Sequence, residues 1–192
     1  MKSEHHFTES LEYLSHGSTR QKEAYQVLTE LNIYEILSDF SPILVGTIPI
    51  NIDIPDSDLD IICEVHDFNV FRDILDKHFK SMNRYRLSIK TVNEVPRIVC
   101  NFEYTGWIIE LYGQPMPTQM QNGYKHMIIE NRILTICGDK CNEKIRNFKK
   151  SGLKTEPAFG AYLKLNGNPY EILLEMYDWD EKKLKDYLRE TH

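Results

Sequence analysis

Over residues 18–37, STRQKEAYQVLTELNIYEIL, the apolar positions Ala24, Val27, Leu28, Leu31 and Ile36 recur close to helical spacing. The pattern predicts an amphipathic helix with Ser18 or Thr19 as its N-cap. The period then shortens: Ile43-Leu44-Val45 reads as a buried strand that begins after Pro42 and stops at Gly46. Pro49 and Pro55 make the next stretch a tight connection rather than a long helix. Residues 58–65 return as a second strand. Asp67 then caps a helix, DFNVFRDILDKHFKS, whose Phe68, Phe71, Leu75 and Phe79 form one apolar face.

Three further strands are expected at 85–95, 97–104 and 107–114. Only Thr105 and Gly106 separate the last two, a hairpin signal. One strand–helix alternation followed by a hairpin predicts a mixed sheet. Beyond Pro115 and Pro117 the pattern is helical, over about 119–137, 142–150, 156–165 and 169–189 with a break near Asp178. Gly138, Gly152 and Gly167 fall at the joints. The fold class expected is α+β: a mixed, twisted sheet with flanking helices and a helical C-terminal region. A length of 192 residues suits one domain over 1–192, with a sheet core to about 137 and a helical extension over about 138–192.

Charge narrows the partners. Twenty-three Lys and Arg against 29 Asp and Glu give a net charge of −6, which disfavours a long nucleic acid held without sequence preference. No apolar run approaches the roughly 20 residues that cross a bilayer, and MKSEHHFTES lacks the apolar core of a secretory signal. A cytoplasmic protein without a membrane partner is expected. Cys63 and Cys100 lie in strand-like runs and read as buried thiols; Cys137 and Cys141 lack the second ligand pair of a structural zinc site.

The candidate chemistry lies in LVGTIPINIDIPDSDLDIIC. On a strand, Asp58 and Asp60 point one way while Leu59, Ile61 and Cys63 point the other. Two carboxylates so close repel, and a divalent cation, a protein counter-charge or an exposed edge must answer them. Magnesium suits the first answer, since it accepts one or two carboxylates together with water and phosphate oxygens. The Gly46-Thr47 turn could bring main-chain N–H groups and a hydroxyl to a phosphate beside that metal.

Val45-Gly46-Thr47, ten residues, then Asp58-Leu59-Asp60-Ile61 resembles the signature of the polymerase-β-like nucleotidyltransferases. Thr47 stands where that signature usually has a small residue or serine, and the proline-bearing connector replaces a short helix. The stretches AYQVL, PILVGTIPINIDIPDSDLDIICE, ELYGQPMPTQMQNGYKHMIIENRIL and GLKTEPAF also resemble a small bacterial family labelled as a domain of unknown function.

The superfamily resemblance implies a minimal nucleotidyltransferase fold and a third carboxylate on a neighbouring strand. Glu110, flanked by Ile109 and Leu111, is the candidate and Glu103 the alternative. It further implies a metal set of Asp58, Asp60 and Glu110 holding Mg2+, or Mn2+ in its place. The activity implied is transfer of a nucleoside monophosphate from a nucleoside triphosphate to an unidentified hydroxyl acceptor.

Gly46, Thr47, His126, Arg132 and Lys154 are the expected nucleotide-binding residues, with Lys150 a further cation. Gln119, His126 and Glu130 fall near one helix face, flanked by Tyr124 and Lys125, while Arg20 and Lys22 have no direction the sequence sets. Tyr162, Tyr170, Tyr177, Trp179 and Tyr187 sit among leucines and read mostly as core. Two rival readings remain: a catalytically inactive nucleotide-binding or regulatory module of the same fold, and an interaction protein with a structural carboxylate network.

Overall fold

The computed structural model describes residues 6–191; residues 1–5 and His192, part of the 1–192 expectation and of the N-terminal signal reading, lie outside them. Two short helices, α1 (His6–Glu9) and α2 (Glu12–Ser15), precede α3 (Thr19–Glu30). The α3 N-terminus carries a full capping box: the Ser18 side chain accepts from the Gln21 amide N–H and the Gln21 side chain accepts from that of Ser18. The helix expected over 18–37 is broken at Asn32, whose left-handed φ of 52° starts a separate turn, α4 (Ile33–Ile36). Asparagine tolerates that conformation better than most residues, and the apolar spacing continues across the break because both pieces face one core.

Five strands follow, β1 (Ile43–Val45), β2 (Leu59–Glu64), β3 (Asn83–Val92), β4 (Val95–Tyr104) and β5 (Trp107–Gln114), with α5 (Phe68–Phe79) between β2 and β3. Asp67 caps α5 by accepting from the Asn69 and Val70 amides. The sheet order is β1-β2-β5-β4-β3, with β2 and β5 parallel and all other pairs antiparallel. The sheet is mixed, as the hairpin signal implies.

Alternation along the strands divides the interior in two. Leu59, Ile61 and Cys63 of β2, with Ile109 and Leu111 of β5, are fully buried against Leu28, Ile33, Phe71, Leu75 and Phe79. Ile43, Val45 and Ile62 face the opposite way, into a second core built by the C-terminal helices. Those helices are α6 (Asn122–Cys137), α7 (Asp139–Lys150), α8 (Thr155–Leu163), α9 (Pro169–Tyr177) and α10 (Glu181–Thr191). The start of α6 lies over Val45 and Ile62 at Gly123. The acidic side chains of β2 and β5 therefore face the helices rather than the α3/α5 layer. None of the helices among the described residues is long and apolar enough to cross a membrane.

Candidate active site

A cleft of about 770 Å³ opens between this second sheet face and helices α6, α7 and α8. Its floor is set by strand pairing. Asp60 is the Cα partner of Val45 on one side and of Glu110 on the other, and Glu110 in turn faces Asn101. Paired residues on adjoining strands present their side chains to the same face, so Asp60 and Glu110 stand one strand spacing apart. Asp58 lies just before β2, exposed, and lines the same cleft.

The electrostatics follow from that crowding. Burial, then the nearby Asp58 and Glu110 carboxylates, push the part-buried Asp60 up to about 8, with Lys149 pulling against them and Glu156 adding to the rise. Burial and Asp58 also raise Glu110, while a hydrogen bond from Asn101 opposes the shift. Acids held up in this way have no adequate counter-charge of their own. Among the described residues none of the three forms an ion pair. Glu103, by contrast, pairs with Arg84 at 2.7 Å across β3 and β4, which removes it as the third carboxylate.

As donors, Asp58, Asp60 and Glu110 supply only oxygen, the chemistry a hard divalent cation takes. Among the described residues no group of three His, Cys, Asp or Glu side chains is arranged to hold a metal ion. Asp58, Asp60 and Glu110 share the lining of one cleft without forming such a group, and magnesium takes one or two carboxylates with water and phosphate oxygens.

Gly46 forms the adjoining wall, with φ +78° and the Asp60 carboxylate directly over its Cα. The turn after it contains no helix. Thr47 Oγ1 bonds to Ser57 Oγ at 3.3 Å, and Ser57 Oγ accepts from the Ile54 amide. Gln21 donates to the Ile48 and Pro49 carbonyls at 2.9 and 3.1 Å from one side, while Lys149 Nζ donates to the Ile52 carbonyl at 3.0 Å and Arg146 to that of Asn51 from the other. The segment leading into Asp58 is thereby pinned between α3 and α7.

Of the residues expected from sequence, Gly46, Thr47, Asp58, Asp60, Glu110, His126 and Lys154 all line this cleft. Arg132 does not. Its guanidinium donates to the Tyr177 and Trp179 carbonyls at 2.9 and 2.6 Å, satisfying the C-terminal end of α9, so it is committed to structure. Lys150 is exposed outside the cleft, and its place is taken by Lys149, 6% exposed. The missed signal was spacing: Cys141, Ile145 and Lys149 recur every four residues and are all buried on one face of α7. Burial lowers the Lys149 ammonium to about 8, although Glu130, Asp53 and Asp58 hold it up.

His126 Nε2 meets the Tyr170 carbonyl oxygen at 3.0 Å, and Nδ1 lies 3.4 Å from Glu156 Oε1. Glu130, one turn further along α6, is buried in the cleft wall, but Gln119 is exposed away from it. Tyr124 is buried in the second core and Lys125 lies over the Tyr177 ring, so neither reaches the cleft. Arg20 stacks on Trp107 and Lys22 is exposed outside the cleft. Of the C-terminal aromatics only Tyr170 lines the cleft; Trp179 and Tyr187, for example, pack edge to face. Arg97, Tyr112, Gln121 and Glu156 are cleft residues that the sequence reading did not single out.

The mixed five-stranded sheet with its flanking helices is an α+β fold of the nucleotidyltransferase type. It is shared with the Cid1 poly(U) polymerase with MgGTP bound (TM-score 0.53, 11% identity, covering 89% of this chain and 55% of that one). The GLD-2/RNP-8 complex matches similarly (TM-score 0.53, 9% identity, 93% and 81%). So does Cid1 in complex with its short product ApU (TM-score 0.53, 9% identity, 88% and 54%). At these identities the likeness is one of fold, and this chain spans about half the length of the Cid1 polymerase. Within that fold class, the chain belongs to the family described as domain of unknown function DUF4269, which matches residues 26–176. No curated protein matches by sequence.

Proposed function

We propose that this protein is a magnesium-dependent nucleotidyltransferase that moves a nucleoside monophosphate from a nucleoside triphosphate to a hydroxyl acceptor. The observation that carries the reading is the Asp60–Glu110 pair on adjoining parallel strands, with Asp58 beside it, at the floor of a cleft of about 770 Å³. Acids of a purely structural network would be matched by basic side chains, and these are not.

Asp58, Asp60 and Glu110 would hold Mg2+, with Mn2+ a working substitute. The bound ion would neutralise charge that develops on the α-phosphate and on the leaving pyrophosphate. The Gly46-Thr47 turn receives phosphate oxygens, and Lys149 and Lys154 supply positive charge from the helical side. The acceptor oxygen forms a bond to the α-phosphorus as the bond to pyrophosphate breaks. The hydroxyl proton passes to the Glu110 carboxylate and then to solvent. Lys149, Lys154 and Glu156 come from beyond residue 138, which supports a reading in which the helical region acts with the sheet as one catalytic unit.

Incubation of the protein with α-labelled nucleoside triphosphates, magnesium or manganese, and cell extract tests this. Label should move to an acceptor with release of pyrophosphate, and Asp60→Asn should abolish the transfer. Transfer unchanged in that variant removes the assignment.

A further inference from the structure

The cleft holds more acid than the proposed chemistry uses. Asp56, Asp58, Asp60, Glu110, Glu130 and Glu156 line it, against Arg97, Lys149 and Lys154. Glu130 and Glu156 come from α6 and α8, not from the sheet that carries the metal set. Glu130 is 2% exposed, and its Oε1 has no hydrogen-bond partner. A buried carboxylate oxygen without a donor destabilises the fold, so a ligand that supplies one is strongly favoured there.

Gln121, 1% exposed at the start of α6, repeats the pattern. Its Nε2 donates to the Cys63 and Met116 carbonyls, both at 2.9 Å, which sets the amide orientation and leaves Oε1 without a donor in the same cleft. Both unpartnered atoms are acceptors. Glu156 adds a third acceptor group. Its Oε1 lies 3.4 Å from His126 Nδ1, so the other carboxylate oxygen is the one this group offers a ligand.

We propose that the corner formed by Glu130 and Glu156 binds an amine cation of the acceptor, so that the molecule modified is a hydroxyl compound carrying ammonium groups. An ammonium has three N–H donors and no acceptor, the complement of what this corner presents, and its charge offsets both acids. A phosphate-rich acceptor such as an RNA end brings no ammonium to these acids, and its phosphates compete for Lys149, the basic group beside Glu130. Calling the ligand an acceptor rests on the transferase reading; the amine site itself stands apart from it.

Spermidine and glucosamine serve as probes, with glucose and an oligouridylate as controls. Spermidine titrated into the full chain should bind, and Glu130→Gln and Glu156→Gln should each weaken it about tenfold or more, the effect of losing one charge-assisted hydrogen bond. Thermal melts verify that both variants are folded. Glucosamine should accept label from an α-labelled triphosphate at least about tenfold faster than glucose, by the same contact. No spermidine binding, binding that neither variant weakens, or glucose and oligouridylate labelled as fast as glucosamine overturns the inference and leaves the transferase reading intact. Variant-sensitive spermidine binding with no label transfer to any acceptor supports the amine site and overturns the transferase reading instead.

Discussion

A β-carbon on Gly46 would stand 2.8 Å from Asp60 Oδ2, so the glycine of the first turn and the aspartate of the second strand compete for one volume. The glycine serves twice, since its φ of +78° also lies where other residues are strained. Gly46→Ala should cost about 1–3 kcal/mol from the left-handed backbone alone. It should also displace the Asp60 carboxylate and reduce transfer by about a hundredfold, as small misplacements of reacting groups do. Denaturant unfolding and steady-state rates on the same preparation separate the two effects.

Lys149 makes nucleotide affinity depend on pH. Its ammonium is charged below about 8 and neutral above, so attraction for a triphosphate is present at neutral pH and fades as pH rises through 8. Lys149→Arg, whose guanidinium keeps its proton, should lose the lysine's part of that fall, leaving between pH 7 and 9 only the dependence that belongs to Asp60, whose carboxyl is also pushed up to about 8. Folding linkage runs the other way. The folded-state value lies below the ordinary 10.5, so the unfolded chain binds more protons between about 8 and 10.5, and the lysine's contribution to stability rises with pH across that window. Titrations of nucleotide at several pH values check the first effect and thermal melts the second.

Arg132 separates the sequence expectation from the structure. Since its guanidinium donates to the Tyr177 and Trp179 carbonyls, Arg132→Ala should lower stability by about 1–3 kcal/mol through those lost bonds. Nucleotide affinity should stay within about twofold of the parent, because the changed side chain is outside the cleft. A large loss of affinity in a fully folded variant would return Arg132 to the binding set.

Glu130 should make the empty protein less stable as pH rises. Burial, with Glu156 nearby and only Lys149 opposing, raises its carboxyl well above 4.5 in the folded state. Tyr170, whose hydroxyl is raised by burial and then by Glu156 and Glu130, also faces this group. The folded chain therefore binds more protons than the unfolded chain above pH 4.5, and stability falls as pH climbs from there toward the raised value. Glu130→Gln removes that slope. Its unfolding free energy, from denaturant titrations, should match the parent near pH 4 and exceed it increasingly toward neutrality, by up to about 1.4 kcal/mol per pH unit for one proton. A constant offset across pH would show that Glu130 is not the group responsible.

Much of the fold was legible because its signals are local. Period-two alternation located β2 and β5, the Thr105-Gly106 pair located β4 as the hairpin partner of β5, and Asp67 announced α5. Where the reading failed, a local pattern had more than one tertiary outcome. The apolar spacing over residues 18–37 does not register a single left-handed residue at Asn32. Lys149 and Lys150 are adjacent in a basic run, and only the burial of the Cys141–Ile145–Lys149 face turns one toward the cleft and the other to solvent. Arg132 had the charge for a phosphate, but the end of α9 needed its donors first.

The sequence by itself determined which way the acids point: with Leu59, Ile61 and Cys63 committed to one apolar face, the pleat leaves Asp60 no choice but the other. Only the tertiary structure decided what meets it there. The pairing of β2 with β5 rather than with β3, its successor in the chain, set Glu110 beside Asp60. The packing of α6, α7 and α8 added Glu130, Lys149 and Glu156. Alternation is imposed by each residue's own backbone sterics, whereas strand order and helix docking depend on which distant apolar faces bury together, and no short stretch of chain contains that choice.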